Sequence, residues 1–219
     1  MIDFDVLIDK YIARESKPKS IGRYYPSEIG NCIRKVWYTY NYPLEIDPSL
    51  RRVFWLGDVL HDFIVQVLKS RKNESVELLR AEMPFRVDMG SFLISGRVDD
   101  LLLIKTENTK LLVEVKSCKS INRIKRPMLH HKTQLQFYMY ATRVHKGVLL
   151  YIDKATLKTK SFEVKFSAKR GKQILNKFRA LHKHLTKKTL PAAEAKRSKG
   201  MEWMCRYCEY KEKCRKNEK

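Results

Sequence analysis

Three cysteines near the end of the chain, Cys205, Cys208 and Cys214, follow a C-x2-C-x5-C spacing, and Cys32 stands far upstream. Thiols this close in sequence can share one metal ion or cluster. With Cys32 as a fourth ligand, the C-terminal tail would be tied back to the N-terminal region. Four thiolates suit zinc or iron–sulfur equally, and the residues alone leave both open. Taken by itself, Cys32 also reads as an ordinary buried helix cysteine. Cys118 has no assigned partner.

A second set lies mid-chain. In LLVEVKS, residues 111–117, strand alternation sends Leu111, Val113 and Val115 one way and Leu112, Glu114, Lys116 and Cys118 the other. Glu114 and Lys116 thus share one face of an otherwise apolar strand. Either they pair on a solvated surface, or they are buried and must be compensated by each other or by a metal. Asp99, in GRVDD at 96–100, lies across the expected hairpin. An Asp and a Glu at that separation can hold Mg²⁺ or Mn²⁺ through oxygen ligands. A neighbouring lysine can steady charge that builds on a phosphate. Asp100 competes with Asp99 for the inward position, since alternation admits only one beside Glu114. His61 shares a helical stripe with Phe54, Gly57, Ile64 and Leu68. It reads as a core histidine or as an imidazole ligand that would favour Mn²⁺.

The elements that must carry these groups follow from pattern. Pro26-Ser27 predicts a helix start with Ser27 as N-cap, running on through Cys32. Residues 52–70 predict a second helix. MPFRVD, SFLISGRVDDLLLI and LLVEVKS predict strands, with KTENTK as the turn before the last of them. A helix from Pro127 to His145 follows, with Gln134 and Tyr138 four apart on one face. VLLYID and SFEVKF predict a hairpin, 170–188 a basic amphipathic helix, and TLPAAEAKRSKG a loop. This order is that of a mixed α/β fold.

Composition narrows the partners. The chain has 219 residues and 43% hydrophobic content, with Lys plus Arg at 46 against 24 for Asp plus Glu, a net +22. Such an excess fits a polyanion such as DNA or RNA. Lys119, Arg123, Lys125 and Arg126, together with Lys172, Lys177, Lys183, Lys187 and Lys188, are candidate phosphate contacts. Tyr24, Tyr25 and Trp37 are candidates for stacking on bases. No apolar run is long enough for a membrane span, and the acidic start does not read as a signal peptide, so a cytoplasmic protein is expected.

GRVDD, LLVEVKS and QLQFYMYA together resemble the RecB-type branch of the PD-(D/E)xK nucleases. With Cys32 in SEIGNCIRKVWY and the C-terminal cysteines, the resemblance narrows to the CRISPR-associated exonuclease Cas-four family and covers about residues 25–215. It implies a restriction-endonuclease-like mixed sheet flanked by helices, with an iron–sulfur-stapled helical and C-terminal region. One nuclease domain over 1–219 is expected: a helical part at 25–70, a core at 80–168 and a tail at 170–219. The resemblance implies that His61, Asp99, Glu114 and the Val115 carbonyl bind Mn²⁺ or Mg²⁺, and that Lys116 is the catalytic lysine. Gln134 and Tyr138 match a Q-x3-Y motif that would place DNA or the lysine. Cys32, Cys205, Cys208 and Cys214 would hold a 4Fe-4S cluster. The implied activity is 5′→3′ removal of nucleotides from single-stranded DNA or free ends. It would act in spacer acquisition beside the integrase proteins Cas-one and Cas-two, or in repair and recombination. The rival readings are a non-catalytic nucleic-acid binder stapled by zinc, and an iron–sulfur redox protein. Oligomeric state stays open.

Overall fold

The computed structural model describes residues 1–13, 18–70, 72 and 74–217. Its strands are β1 (Arg23–Tyr24), β2 (Val76–Asp88), β3 (Leu93–Ile104), β4 (Thr109–Cys118), β5 (Lys146–Asp153) and β6 (Thr159–Lys165). Among the described residues they form one six-stranded mixed sheet in the order β1-β3-β4-β5-β6, with β2 along the opposite edge of β3. The helices are α1 (Phe4–Ile12), α2 (Pro26–Ile29), α3 (Ile33–Asn41), α4 (Pro48–Lys69), α5 (Leu129–Thr142), α6 (Ala168–Thr186), α7 (Glu194–Arg197), α8 (Trp203–Arg206) and α9 (Lys211–Lys216).

β3 and β4 form the expected hairpin, paired from Ile104–Thr109 to Asp100–Val113. Residues 105–107 make one 3₁₀ turn, and Asn108 closes it in the left-handed region at φ 45°; asparagine is among the few side chains that tolerate this conformation. β4 then runs parallel to β5, from Leu112–Gly147 to Cys118–Asp153. A parallel pair needs a crossover, and α5 lies within it.

Two layers of helix close the sheet. On one side Leu60 and Ile64 of α4 pack on Val113, Val115, Leu102 and Ile152. On the other, Leu135, Tyr138 and Met139 of α5 pack on Leu112, Val98 and Leu149. Phe178, Leu181 and Leu185 of α6 then join Phe137 to Val36, Trp37 and Tyr38 of α3. Each of these large apolar side chains contributes about 1.5–3 kcal/mol by leaving water. No helix among the described residues is long and apolar enough to cross a membrane.

Several element expectations change. The helix expected to run from Pro26 through Cys32 is two helices. Tyr25, not Ser27, caps α2, with Glu28 accepting the Tyr25 N–H at 3.4 Å. Cys32 is the N-cap of α3 rather than part of a continuous helix. The break lets α2 lie against α5: a Cβ on Gly30 would stand 2.6 Å from the His130 carbonyl oxygen. α4 starts earlier than residue 52, because Asp47 accepts the Ser49 N–H at 2.8 Å as its cap. On that helix Phe54, Phe63 and Val67 are exposed and only Leu60 and Ile64 are buried. α5 is shorter than Pro127–His145 and ends at Arg143 in the left-handed region. The expected loop 189–200 contains α7.

The Gly30 contact predicts that Gly30→Ala lowers stability by roughly 1–3 kcal/mol, since a backbone carbonyl cannot step aside as a flexible side chain does. Chemical denaturation followed by circular dichroism measures it; wild-type stability would show that α2 can shift freely.

Candidate active site

Beyond the Asp100–Val113 pair, β4 leaves β3 and stays with β5. The backbone of Val115 is thereby released from the β3 ladder, and side chains occupy both its groups. Asp99 Oδ2 accepts the Val115 N–H at 2.8 Å. His61, on α4, brings Nε2 to 3.2 Å from the Val115 carbonyl oxygen and 2.9 Å from Asp99 Oδ2. Burial alone would depress the His61 pKa, but the Asp99 carboxylate and the Val115 carbonyl outweigh it and raise it to about 9. His61 is therefore an imidazolium donor wedged between two oxygens.

Glu114 feels the charge of Asp99. Glu114 is fully buried. Lys116 Nζ lies 2.6 Å from Oε1, an ion pair without the alignment of a directional hydrogen bond, and Oε2 has no partner. Burial first, then the charge of Asp99, push the Glu114 pKa upward against the pull of Lys116. Lys116 itself is raised: burial opposes its charge, but Glu114 and Asp99 stabilise it more.

The choice between Asp99 and Asp100 falls to Asp99. Asp100 is buried, lacks a hydrogen-bond partner among the described residues, and has its pKa raised to about 6 by burial and by Asp99. Val98 packs on the α5 side while Leu102 packs on the α4 side. Residues of equal parity share a face in a regular strand, so β3 changes face across Asp99 and Asp100. Opposite this point Glu82 of β2 has a left-handed φ of 48°. Its carboxylate lies 3.8 Å from His61 Nδ1, and His61, Glu82 and Asp99 each offer a ligand atom within 4.8 Å of the others. Glu82 was not legible in the sequence, where it is one acid in an alternating strand.

The four cysteines of the split set also come together. Cys32, Cys205, Cys208 and Cys214 line one cavity of about 210 Å³, with Arg34, Lys35, Lys196, Lys211 and Arg215 around it. The Arg34 guanidinium donates to Cys214 Sγ at 3.6 Å. Burial raises the Cys208 thiol pKa, with Lys35 opposing. Cys118 lies at the end of β4, two residues beyond Lys116, packed against the α5 side of the core.

The model of the PD-(D/E)XK nuclease superfamily matches residues 25–215. The chain belongs to the PD-(D/E)XK nuclease superfamily. It is 33% identical over 132 residues to the CRISPR-associated exonuclease Cas4 of Saccharolobus solfataricus, a match spanning 58% of this chain and 62% of that relative. Its fold resembles the crystal structure of SSO0001, with a TM-score of 0.61, 23% identity and coverage of 94% of this chain and 92% of the other. It also resembles an alkaline exonuclease from Laribacter hongkongensis, with a TM-score of 0.55, 13% identity and coverage of 77% and 90%. The superfamily's mixed sheet flanked by helices is the fold found here.

Gln134 and Tyr138 face inward from α5: both are buried, and Gln134 donates to the Tyr138 hydroxyl at 2.9 Å. Three residues before Gln134, His131 was missed in the sequence, although H-x2-Q-x3-Y places it on the same helical stripe. The Tyr151 hydroxyl accepts the Met128 N–H at 3.0 Å and shares a hydrogen bond with His131 Nδ1 at 2.9 Å. Tyr151 stands across from Lys116 in the sheet. Of the expected stacking aromatics, Tyr24 and Trp37 are buried in the core, and only Tyr25 borders open space. Among the basic residues Lys119, Arg123, Lys125, Arg126, Lys172, Lys183, Lys187 and Lys188 are exposed. Lys177 is not available as a phosphate contact, because it donates to the Asn31 carbonyl at 2.8 Å and pairs with Glu194.

Burial, the neighbouring His130 and the charge of Lys116 depress the His131 pKa to about 2. An unfolded histidine takes up a proton near pH 6.5 while the folded one does not, so stability is full above that value and falls as pH drops below it. This one group is expected to cost up to about 1.4 kcal/mol per pH unit between about pH 6 and 4.5. Urea titrations across that range check it: His131→Gln should flatten the slope by about one proton, and an unchanged slope would contradict the burial of a neutral ring.

Proposed function

We propose that the chain is a divalent-metal-dependent deoxyribonuclease that removes nucleotides 5′→3′ from single-stranded DNA or free ends. Residues 1–219 act as one nuclease unit. The observation that carries the proposal is the meeting of His61, Asp99 and Glu82, each offering a ligand atom within 4.8 Å of the others, with the Val115 carbonyl 3.2 Å from His61 and the buried Glu114–Lys116 pair on the same stretch of β4. These donors fit a hard dication. The Glu114 carboxylate is buried with one oxygen unpartnered, and the raised acids and the imidazolium are groups that a cation would relieve. His61 would lose its proton to act as a ligand. Asp99, Glu114, the Val115 carbonyl and His61 would hold Mn²⁺ or Mg²⁺, with Glu82 within reach. The cation, when bound, would supply Lewis acidity toward a phosphodiester.

The chain's own residues do the rest. Asp99 anchors the Val115 N–H and so fixes where the Val115 carbonyl points. Glu114 holds Lys116 in place, and Lys116 stabilises negative charge that gathers on the phosphate during cleavage. Gln134 and Tyr138 support that wall from α5.

The same reading assigns Cys32, Cys205, Cys208 and Cys214 to a 4Fe-4S cluster. A cavity of about 210 Å³ is far more than one zinc needs at its ~2.3 Å Zn–S bonds. The five surrounding cations suit an anionic thiolate cluster. The name of the Saccharolobus relative supports placing the activity in CRISPR spacer acquisition, where the enzyme trims DNA before capture in company with Cas-one and Cas-two.

Glu114→Ala and Lys116→Ala are expected to reduce Mn²⁺-dependent degradation of end-labelled single strands by at least about 10²-fold while DNA binding persists. A Glu114→Ala protein that cuts at the wild-type rate would end the nuclease proposal, and labels at the 5′ and 3′ ends read the polarity. Anaerobically purified protein is expected to be brown and to contain iron, with Cys214→Ser losing the colour. Stoichiometric zinc in a colourless protein would instead favour a zinc staple.

A further inference from the structure

A second opening borders the acidic site. A groove of about 690 Å³ runs between α2 and the β2–β3 hairpin, lined among others by Arg23, Arg86, Arg97 and Tyr25, with Gln134 and Tyr138 reaching it from α5. No carboxylate lines it among the described residues. Two of its guanidiniums are braced. Arg23 Nε donates to the hydroxyl of the buried Ser95 at 3.1 Å, and its head lies 5.7 Å from the centre of the Tyr25 ring. Arg97 lies 3.2 Å from Glu82, which is itself beside His61. One ion pair therefore joins the groove to the acidic centre. Gly96 forms part of the wall, and a Cβ there would press on Phe85 and Pro26 at 3.2 Å.

We infer that this groove is the strand-binding subsite, holding about one or two nucleotides of single-stranded DNA next to the bond being cut. The inference rests on the proposed nuclease reading for the direction of the strand, but the binding it describes does not need metal or cleavage. Arginine forks match phosphate oxygens bidentately. An aromatic ring beside them offers a stacking surface that tolerates any base. The volume lies within the ~300–1,000 Å³ that encloses a small organic molecule. The three arginines come from β1, β2 and β3, so the subsite exists only once the hairpin has paired and β1 has joined it.

Fluorescence anisotropy in EDTA, with intact protein and a fluorescein-labelled single-stranded oligonucleotide of about ten nucleotides, tests this. Arg86 and Arg97 are exposed, so Arg86→Ala with Arg97→Ala should fold, and unchanged thermal midpoints check that. This double variant is expected to bind at least about tenfold more weakly. Its plot of log affinity against log salt should be shallower by about 0.7 per lost phosphate contact. The Arg86→Lys, Arg97→Lys pair should keep the wild-type slope. Tyr25→Ala should weaken binding about 5- to 100-fold with the slope unchanged. Wild-type affinity and slope in the double alanine variant would overturn the inference, as would equal affinity of the native protein for a blunt duplex of the same length. Asp99→Asn separates the two readings. If it abolishes cleavage while the arginine variants bind normally, the groove assignment fails and the nuclease stands. If the arginine variants lose binding but the native protein never cleaves with Mn²⁺, the groove stands and the nuclease fails.

Discussion

The parting of β3 and β4 after Asp100 and Val113 is the constraint on which the candidate site depends. In a continued hairpin the N–H and carbonyl of Val115 would be spent on β3. Here β4 keeps its partner β5, so Glu114 and Lys116 stay rigidly placed while the other backbone edge is open. Unpaired backbone groups in a buried setting cost free energy, and Asp99 and His61 remove that cost. The same two contacts gather a carboxylate, an imidazole and a carbonyl at one point. The site is thus what the fold needs to close its own fork.

The second tie is the cysteine cavity, which several independent contacts hold closed. The Tyr210 hydroxyl donates to the Tyr42 carbonyl at 2.8 Å and the Tyr210 ring stacks on Tyr38 at 5.3 Å. Glu194 caps the Ile33 N–H at 3.2 Å and pairs with Lys177. The cysteine-bearing segments also reach toward the acidic site. Gly30, just before Cys32, lies against His130. Trp203, just before Cys205, has its ring 5.5 Å from that of His130. His130 in turn lies 4.0 Å from His131, which bonds Tyr151 across from Lys116. Packing is therefore continuous from the thiols to the lysine.

What the sequence made legible was what depends on period and spacing. The hairpin around 105–108, the alternation that puts Glu114 and Lys116 together, and the stripe on α5 follow from local rules. Gly30-Asn31 is the local mark of the break between α2 and α3, weak inside an otherwise helical pattern from Pro26 to Tyr40; the approach of His130 from α5 shows why the turn is needed. The burial of Tyr24 and Trp37 and the use of Lys177 as a brace are likewise tertiary facts. Glu82 and the choice of Asp99 over Asp100 hinge on an irregularity in the β2–β3 pairing, which a period-2 pattern cannot express. The groove arginines lie on three separate strands, so no contiguous motif marks them.

The charge distribution joins these features. A chain of net +22 attracts polyanions, yet it buries Asp100 and Glu114 and keeps Asp99 largely covered near them. Burial first, and the neighbouring Asp99 second, hold both Asp100 and Glu114 above the usual carboxylate range. His61 and Lys116 answer part of that charge from opposite faces of the sheet, and Arg97 answers Glu82 at the rim. Carboxylates hold the inner space and arginines the outer groove. A phosphate drawn toward the arginines therefore meets increasing negative potential as it moves inward, and only a cation between the two could bring phosphate and carboxylate together.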